Sequence, residues 1–88
     1  MKPMREKMDW FSLWCEDKES IIATMRKNMA DDLAVGYNPN GMCIMRQRVM
    51  IEDYQKQFDH EMEMFKYWDM PKVQHWCHID LKKRGAIS

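Results

Sequence analysis

Residues 42–68 read MCIMRQRVMIEDYQKQFDHEMEMFKYW, a stretch without glycine or proline. Its largely apolar positions recur at steps of three and four residues: Ile44, Arg48, Ile51, Tyr54, Phe58, Met62, Phe65 and Trp68. Because about 3.6 residues make one turn of an α-helix, this spacing places these side chains on one face. The pattern predicts a long central helix over about 42–68, whose apolar face must pack against the rest of the chain or against a second copy.

A second helical pattern precedes this stretch, over residues 3–35. Its apolar positions follow a heptad spacing: Met4, Met8, Phe11, Cys15, Ile22, Met25 and Met29. Lys18 occupies the one interrupted position of the series. The polar residues 15–20 around it could cap a new helix. We therefore expect two helices, near 4–16 and 19–34, in preference to a single one.

Glycine and proline mark the ends of these segments. Gly36 is expected to end the N-terminal half in the left-handed conformation. Residues 37–41 (YNPNG) form the strongest turn signal of the chain, because proline fixes φ while asparagine and glycine accept positive φ. Residues 69–71 (DMP) end the long helix and start a last one over Lys72 to Arg84, which Gly85 closes.

These patterns predict an all-α fold, a small bundle of three or four helices in a single domain over residues 1–88. The alternative is an α+β fold with short strands near 42–51 and 73–81, because apolar and polar residues also alternate there. Helix-favouring Met, Arg, Gln, Lys and Glu are frequent in both segments, which favours helix. Tyr67 falls outside the apolar stripe, so we expect it to be exposed, together with either Trp10 or Trp14.

Charge and cysteine content restrict the classes of protein. Fourteen basic and fourteen acidic residues cancel, which argues against a purely electrostatic binder of nucleic acid or membranes. The three cysteines form no CxxC pair, and an odd number does not suit a secreted disulfide scaffold. Glu6 and Asp9 interrupt any N-terminal signal sequence, and no apolar run is long enough to span a membrane. We expect a cytoplasmic protein with reduced thiols.

Potential metal ligands cluster in the last segment as His75, Cys77 and His78. A structural zinc site needs four ligands, usually in two separated pairs. His60, Cys43 or Cys15 could complete the set, but nothing in the spacing demands it. His60 begins an HExxH-like stretch, but the second histidine position is occupied by Met64. We expect no metal and no cofactor.

The same segment contains the one candidate nucleophile, Cys77, flanked by His75 and His78. A catalytic cysteine needs a base within hydrogen-bond reach and an accessible thiolate. Cys77 shares the presumed core face with Val73 and Trp76, where a thiol is inert. We expect no catalytic residue and no enzymatic activity.

Methionine accounts for 11 of the 88 residues, and this adaptable side chain suits both loose cores and partner surfaces. We therefore expect a helical protein–protein interaction or self-association module, with the long helix forming a homodimer or binding another protein. The alternative is a small nucleic-acid-binding protein that uses its basic C-terminal helix. Four residues of that helix would then contact phosphate: Lys72, Lys82, Lys83 and Arg84.

Overall fold

The chain folds into three α-helices in sequence order. The structure is a computed structural model that describes residues 9–87. Helix α1 spans Trp10–Ala34, α2 spans Met42–Phe65 and α3 spans Met70–Lys83. No strand occurs within residues 9–87, so the all-α prediction of a small bundle is confirmed with three helices.

The strand alternative for segments 42–51 and 73–81 is wrong, because both lie inside helices. Apolar residues alternate in the first segment because α2 carries them on two faces there. Ile44 and Ile51 are buried, whereas Met45 and Val49 are exposed on the outer side.

Helix α1 is continuous, so the predicted break between helices near 4–16 and 19–34 is wrong for the described part of that segment. The helix begins after Asp9, whose carboxylate accepts a hydrogen bond of 2.7 Å from the Ser12 backbone N–H. Residues 3–8, predicted to be helical, lie outside the described residues. The polar stretch stays helical because it contains no glycine or proline, and because Lys18 pairs with a residue of α2 and Asp17 with the residue that follows α3.

The predicted boundaries differ from the observed ones by a few residues. Gly36 has a φ of 106° just after α1, as predicted for a left-handed C-terminal glycine. Helix α2 ends at Phe65 rather than at Trp68, because the next three backbone N–H groups bond to carbonyls three residues back and form a tight turn. Tyr67 in that turn is 82% exposed and Trp10 is 39% exposed, which confirms the two exposed aromatic residues.

The hydrophobic core lies where all three helices meet. Its buried members are Trp14, Phe65, Val73, Cys77 and Leu81. Helix α1 contacts both other helices, and the predicted apolar stripe of α2 packs against it. Ile44, Ile51 and Phe65 are thereby buried within one chain, whereas Arg48 is exposed. The stripe therefore has a partner inside the chain, and a dimer would have to use another surface.

Helix α3 is too short to cover the whole α1–α2 pair. At about 1.5 Å per residue, its 14 residues extend roughly 21 Å, against roughly 37 Å for the 25 residues of α1. Arg84, the residue that follows α3, pairs with Asp17, which lies within the first third of α1. Residues 21–34 and 42–51 therefore form a two-helix end without a third layer. Because this end extends beyond the three-helix part, the radius of gyration is 16.2 Å, larger than the roughly 12 Å expected for a compact chain of this length.

None of the helices within residues 9–87 has an apolar stretch long enough to cross a bilayer.

Candidate functional site

A buried ion pair joins the middle of α1 to α2. Lys18 Nζ lies 3.7 Å from Glu61 Oε1, and each side chain is 8% exposed. The ammonium group also lies 4.8 Å from the ring centroid of Tyr54 and 5.5 Å from that of Trp14, in cation–π range. Glu61 Oε1 finds no hydrogen-bond partner among residues 9–87. The carboxylate therefore depends on the charge of Lys18 for its compensation.

A second polar network ties α3 to α1 at the edge of the core. The indole N–H of Trp14 donates to Asp80 Oδ2 at 2.9 Å, and Arg84 donates to the same oxygen at 3.0 Å. Arg84 also donates to Asp17 Oδ2 at 2.6 Å. Burial opposes the charge of Arg84, but its hydrogen bonds to Asp17 and Asp80 prevail and raise the pKa of the guanidinium. This network fixes the end of α3 on α1.

The candidate nucleophile Cys77 lies in the core and is fully buried. Burial raises the pKa of its thiol to about 12, so the thiolate is scarce at neutral pH. His78 packs its ring against Trp10 at a centroid distance of 4.3 Å, and His75 is exposed. Within residues 9–87, no three His, Cys, Asp or Glu side chains come together in a metal-binding arrangement.

The four basic residues of the nucleic-acid hypothesis have different surroundings. Arg84 is paired with Asp17 and Asp80, so its charge is balanced within the chain. Lys72 Nζ lies 4.6 Å from the ring centroid of Trp68. Lys82 and Lys83 are exposed. A shallow depression of about 270 Å³ on the outer face of α3 brings together Trp68, Lys72, His75, Trp76, Ile79, Asp80 and Lys83.

Among residues 9–87, the two-helix end carries the largest group of exposed apolar side chains. Met42, Met45 and Val49 follow one another on α2 at steps of three and four residues and are 74%, 50% and 53% exposed. We call these three residues the outer stripe. They lie on the side of α2 that points away from α1, opposite to the buried Ile44 and Ile51. An apolar surface of this kind on a small domain is typical of a contact site.

A groove adjoins the outer stripe between α1 and α2. It has a volume of about 280 Å³ and is lined by Met25, Asn28, Asp32, Gln47, Met50 and Ile51. Asn28 follows Asp17 by eleven residues, about three turns, and so lies on the side of α1 that contacts α3. The groove therefore lies on the same side of α1 as α3 and begins beyond the end of that helix. Met50, which is 57% exposed, lies between the groove and the outer stripe.

Comparison with protein-family models, with curated proteins and with solved structures found no match to this chain.

Sequence reasoning missed both the outer stripe and the buried pair. The signal for the stripe was present, because Met42, Met45 and Val49 have helical spacing, but the longer inner stripe of the same helix dominated the pattern. The signal for the pair was the lysine in the apolar series of α1. Its partner, Glu61, lies 43 positions away, and no local pattern connects the two.

Proposed function

We propose that this chain is a small protein–protein interaction module without enzymatic activity, which binds its partner through the outer stripe and the adjoining two-helix end. The observation that carries the proposal is the exposure of Met42, Met45 and Val49 on one face of α2. Flexible methionine side chains adapt to an opposing surface at little steric cost, and flanking charges would supply specificity.

The position of the stripe in the fold supports this proposal. The core of residues 9–87 is concentrated at the three-helix end, so Met45 and Val49 contribute little to it. Removing such apolar surface from water stabilises a complex by about 25 cal/mol per Å² before the costs of association. We place the protein in the cytosol, because Cys43 is exposed and unpaired, as suits a reducing compartment.

Site-specific photo-crosslinking tests the proposal. With a photoreactive side chain in place of Met45, we expect a covalent adduct with another polypeptide in cells that make the protein at its native level. The control is the same side chain at His60, which is exposed on the same face of α2 but lies about three turns beyond Val49. Adding Val49→Asp to the Met45 variant should remove the adduct, because a charge in the apolar patch opposes burial.

An adduct of two copies of the chain and an adduct with a different protein would both support the proposal, and mass spectrometry of the adduct distinguishes them. No adduct at position 45, or equal yields at positions 45 and 60, would contradict it.

The second candidate function is nucleic-acid binding through α3. It is favoured by one observation, the grouping of Lys72, His75 and Lys83 with two tryptophan rings in the depression on the outer face of that helix. The pairing of Arg84 weakens the hypothesis, because this guanidinium is engaged by two carboxylates of its own chain. We therefore rank this function below protein binding.

A salt titration with duplex DNA and single-stranded RNA tests the second candidate. Under our first proposal, we expect no measurable affinity at about 0.15 M salt. Binding by α3 would instead weaken by about 0.9 log units per log unit of salt for each phosphate neutralised on duplex DNA. Replacement of Lys72, Lys82 and Lys83 by Ala would then abolish it. Arg84 is left intact in this variant, because its loss would disturb the network with Asp17 and Asp80.

A further inference from the structure

The depression on the outer face of α3 is a second contact surface, separate from the outer stripe. We propose that it binds an acidic segment of a partner protein, which places a large apolar side chain in the depression and carboxylates on both sides of it. This inference goes beyond the proposed function, because α3 ends before the two-helix end where the outer stripe lies.

The depression follows one face of α3. Lys72, Trp76, Ile79 and Lys83 line it and succeed one another at steps of three and four residues, so their side chains point the same way. The two lysines stand at the ends, and Trp76 and Ile79 lie between them. Ile79 is 39% exposed despite its apolar side chain. The face is therefore apolar in the middle and positive at both ends.

The charges at the two ends are available to a partner. Lys72 and Lys83 are exposed, and neither forms an ion pair within residues 9–87. Asp80, the carboxylate that lines the depression, accepts hydrogen bonds from the indole N–H of Trp14 and from Arg84, so its charge is balanced within the chain. The depression therefore attracts negative charge to its two ends.

The size of the depression suits side chains of a larger partner. Its volume of about 270 Å³ is below the roughly 300–1,000 Å³ of pockets that enclose a drug-sized ligand. An apolar centre with a charged rim is the usual organisation of a protein contact, in which one anchoring side chain fills a pocket and polar groups surround it. We therefore expect a polypeptide segment with one or two apolar side chains at its centre.

The distance between the two lysines sets the length of that segment. Lys72 and Lys83 are eleven residues apart, which is roughly 16 Å along α3. About five residues of extended chain or about eleven residues of helix span this distance. A short segment with acidic residues near its ends and an apolar residue at its centre is thus sufficient.

The arrangement of charge favours such a peptide over a nucleic-acid strand. A strand carries a negative charge at every nucleotide. Its bases can stack on Trp76, but the middle of the face offers its phosphates only Ile79, the ring of His75 and the carboxylate of Asp80, and no lysine or arginine lines it there. A peptide can place an apolar side chain in the middle and confine its negative charges to the ends.

Selection from random dodecapeptides displayed on phage tests the proposal. The bait is the full chain carrying Val49→Asp, so that peptides that need the outer stripe are not retained. We expect the enriched peptides to have a net negative charge, with acidic residues on both sides of at least one large apolar residue.

Charge reversal at the two ends shows whether the depression is the site. In the same bait, Lys72→Glu with Lys83→Glu should no longer enrich acidic peptides and should enrich basic ones, because like charges facing each other oppose binding. Lys56→Glu with Lys82→Glu is the matched control, since it makes the same change of charge at exposed lysines outside the depression. This control should enrich the same peptides as the bait with all four lysines intact.

Fluorescence anisotropy with a labelled selected peptide measures the affinity. We expect a dissociation constant on the order of tens of micromolar, because the contact is small. Lys83→Glu should weaken binding roughly tenfold, whereas Lys82→Glu, at the neighbouring position outside the depression, should change it by less than about twofold. Ile79→Ser should weaken it several-fold through loss of apolar contact. Added salt should also weaken it, because exposed ion pairs are screened.

Three outcomes would overturn the proposal: no enriched peptide, enrichment without an acidic bias, or the same peptides from the bait with and without charge reversal at Lys72 and Lys83. Tighter binding of a uridine dodecamer than of the selected peptides, lost in the same double variant, would make the depression a nucleic-acid site instead. Circular dichroism checks the fold of each variant, and the single Lys83→Glu variant keeps the test decisive if the double variant does not fold. Photo-crosslinking from Met45 reports on the outer stripe, so the two proposals can fail independently.

Discussion

Replacing Lys18 with Met is expected to destabilise the fold by about 3–5 kcal/mol, because it leaves the Glu61 carboxylate buried without its counter-charge. Glu61 Oε1 has no hydrogen-bond partner within residues 9–87 that could take over this role. A domain of this length has a total stability of about 4–13 kcal/mol, so the variant should be close to unfolding. Equilibrium urea denaturation followed by circular dichroism measures the loss.

Two further variants separate the effect of breaking the ion pair from the effect of losing a lysine side chain. Lys27→Met removes a lysine whose pairing with Asp31 is exposed, and it should cost less than about 0.5 kcal/mol. The double variant Lys18→Met with Glu61→Leu should recover most of the lost stability, because an apolar pair of similar volume needs no charge compensation. A single Lys18→Met variant as stable as the Lys27→Met control would show that the pair contributes nothing.

The success and failure of the sequence predictions follow from the range over which each signal acts. Helix α2 and the turn over residues 37–41 were predictable, because spacing and turn residues act within a few positions of the chain. The break predicted near residue 17 was wrong for a non-local reason. Charged residues there look like a helix end from local rules, but Lys18 has its partner on α2 and Asp17 has its partner at the end of α3.

The outer stripe was not predicted, for a different reason. The first turns of α2 carry apolar residues on two faces, and periodicity alone cannot tell which face a neighbouring helix covers. The structure decides this, because α1 packs over Ile44 and Ile51 and leaves Met45 and Val49 exposed. The predicted homodimer through the long helix stays a prediction, and the stripe of Ile51 and Phe65 is already covered within the chain.

Replacing Trp14 with Ala should cost about 3–5 kcal/mol, because this fully buried side chain joins all three helices. Its ring lies 5.5 Å from that of Phe58, 5.3 Å from that of Phe65 and 5.8 Å from that of Trp76, measured between centroids. Truncation would open a cavity among these rings and also leave Asp80 without one of its two donors. Urea denaturation, with near-ultraviolet circular dichroism to report on aromatic packing, measures the loss of stability.

Two variants locate the source of that effect. Trp10→Ala is the matched control, because Trp10 is 39% exposed and stacks at the edge of the fold on His78, so we expect a cost of roughly 1 kcal/mol. Trp14→Phe keeps an aromatic ring but removes the N–H donor to Asp80. Its cost should fall between the other two, because Arg84 still donates to Asp80 and only part of the side-chain volume is lost. Equal costs for Trp10→Ala and Trp14→Ala would contradict a core centred on Trp14.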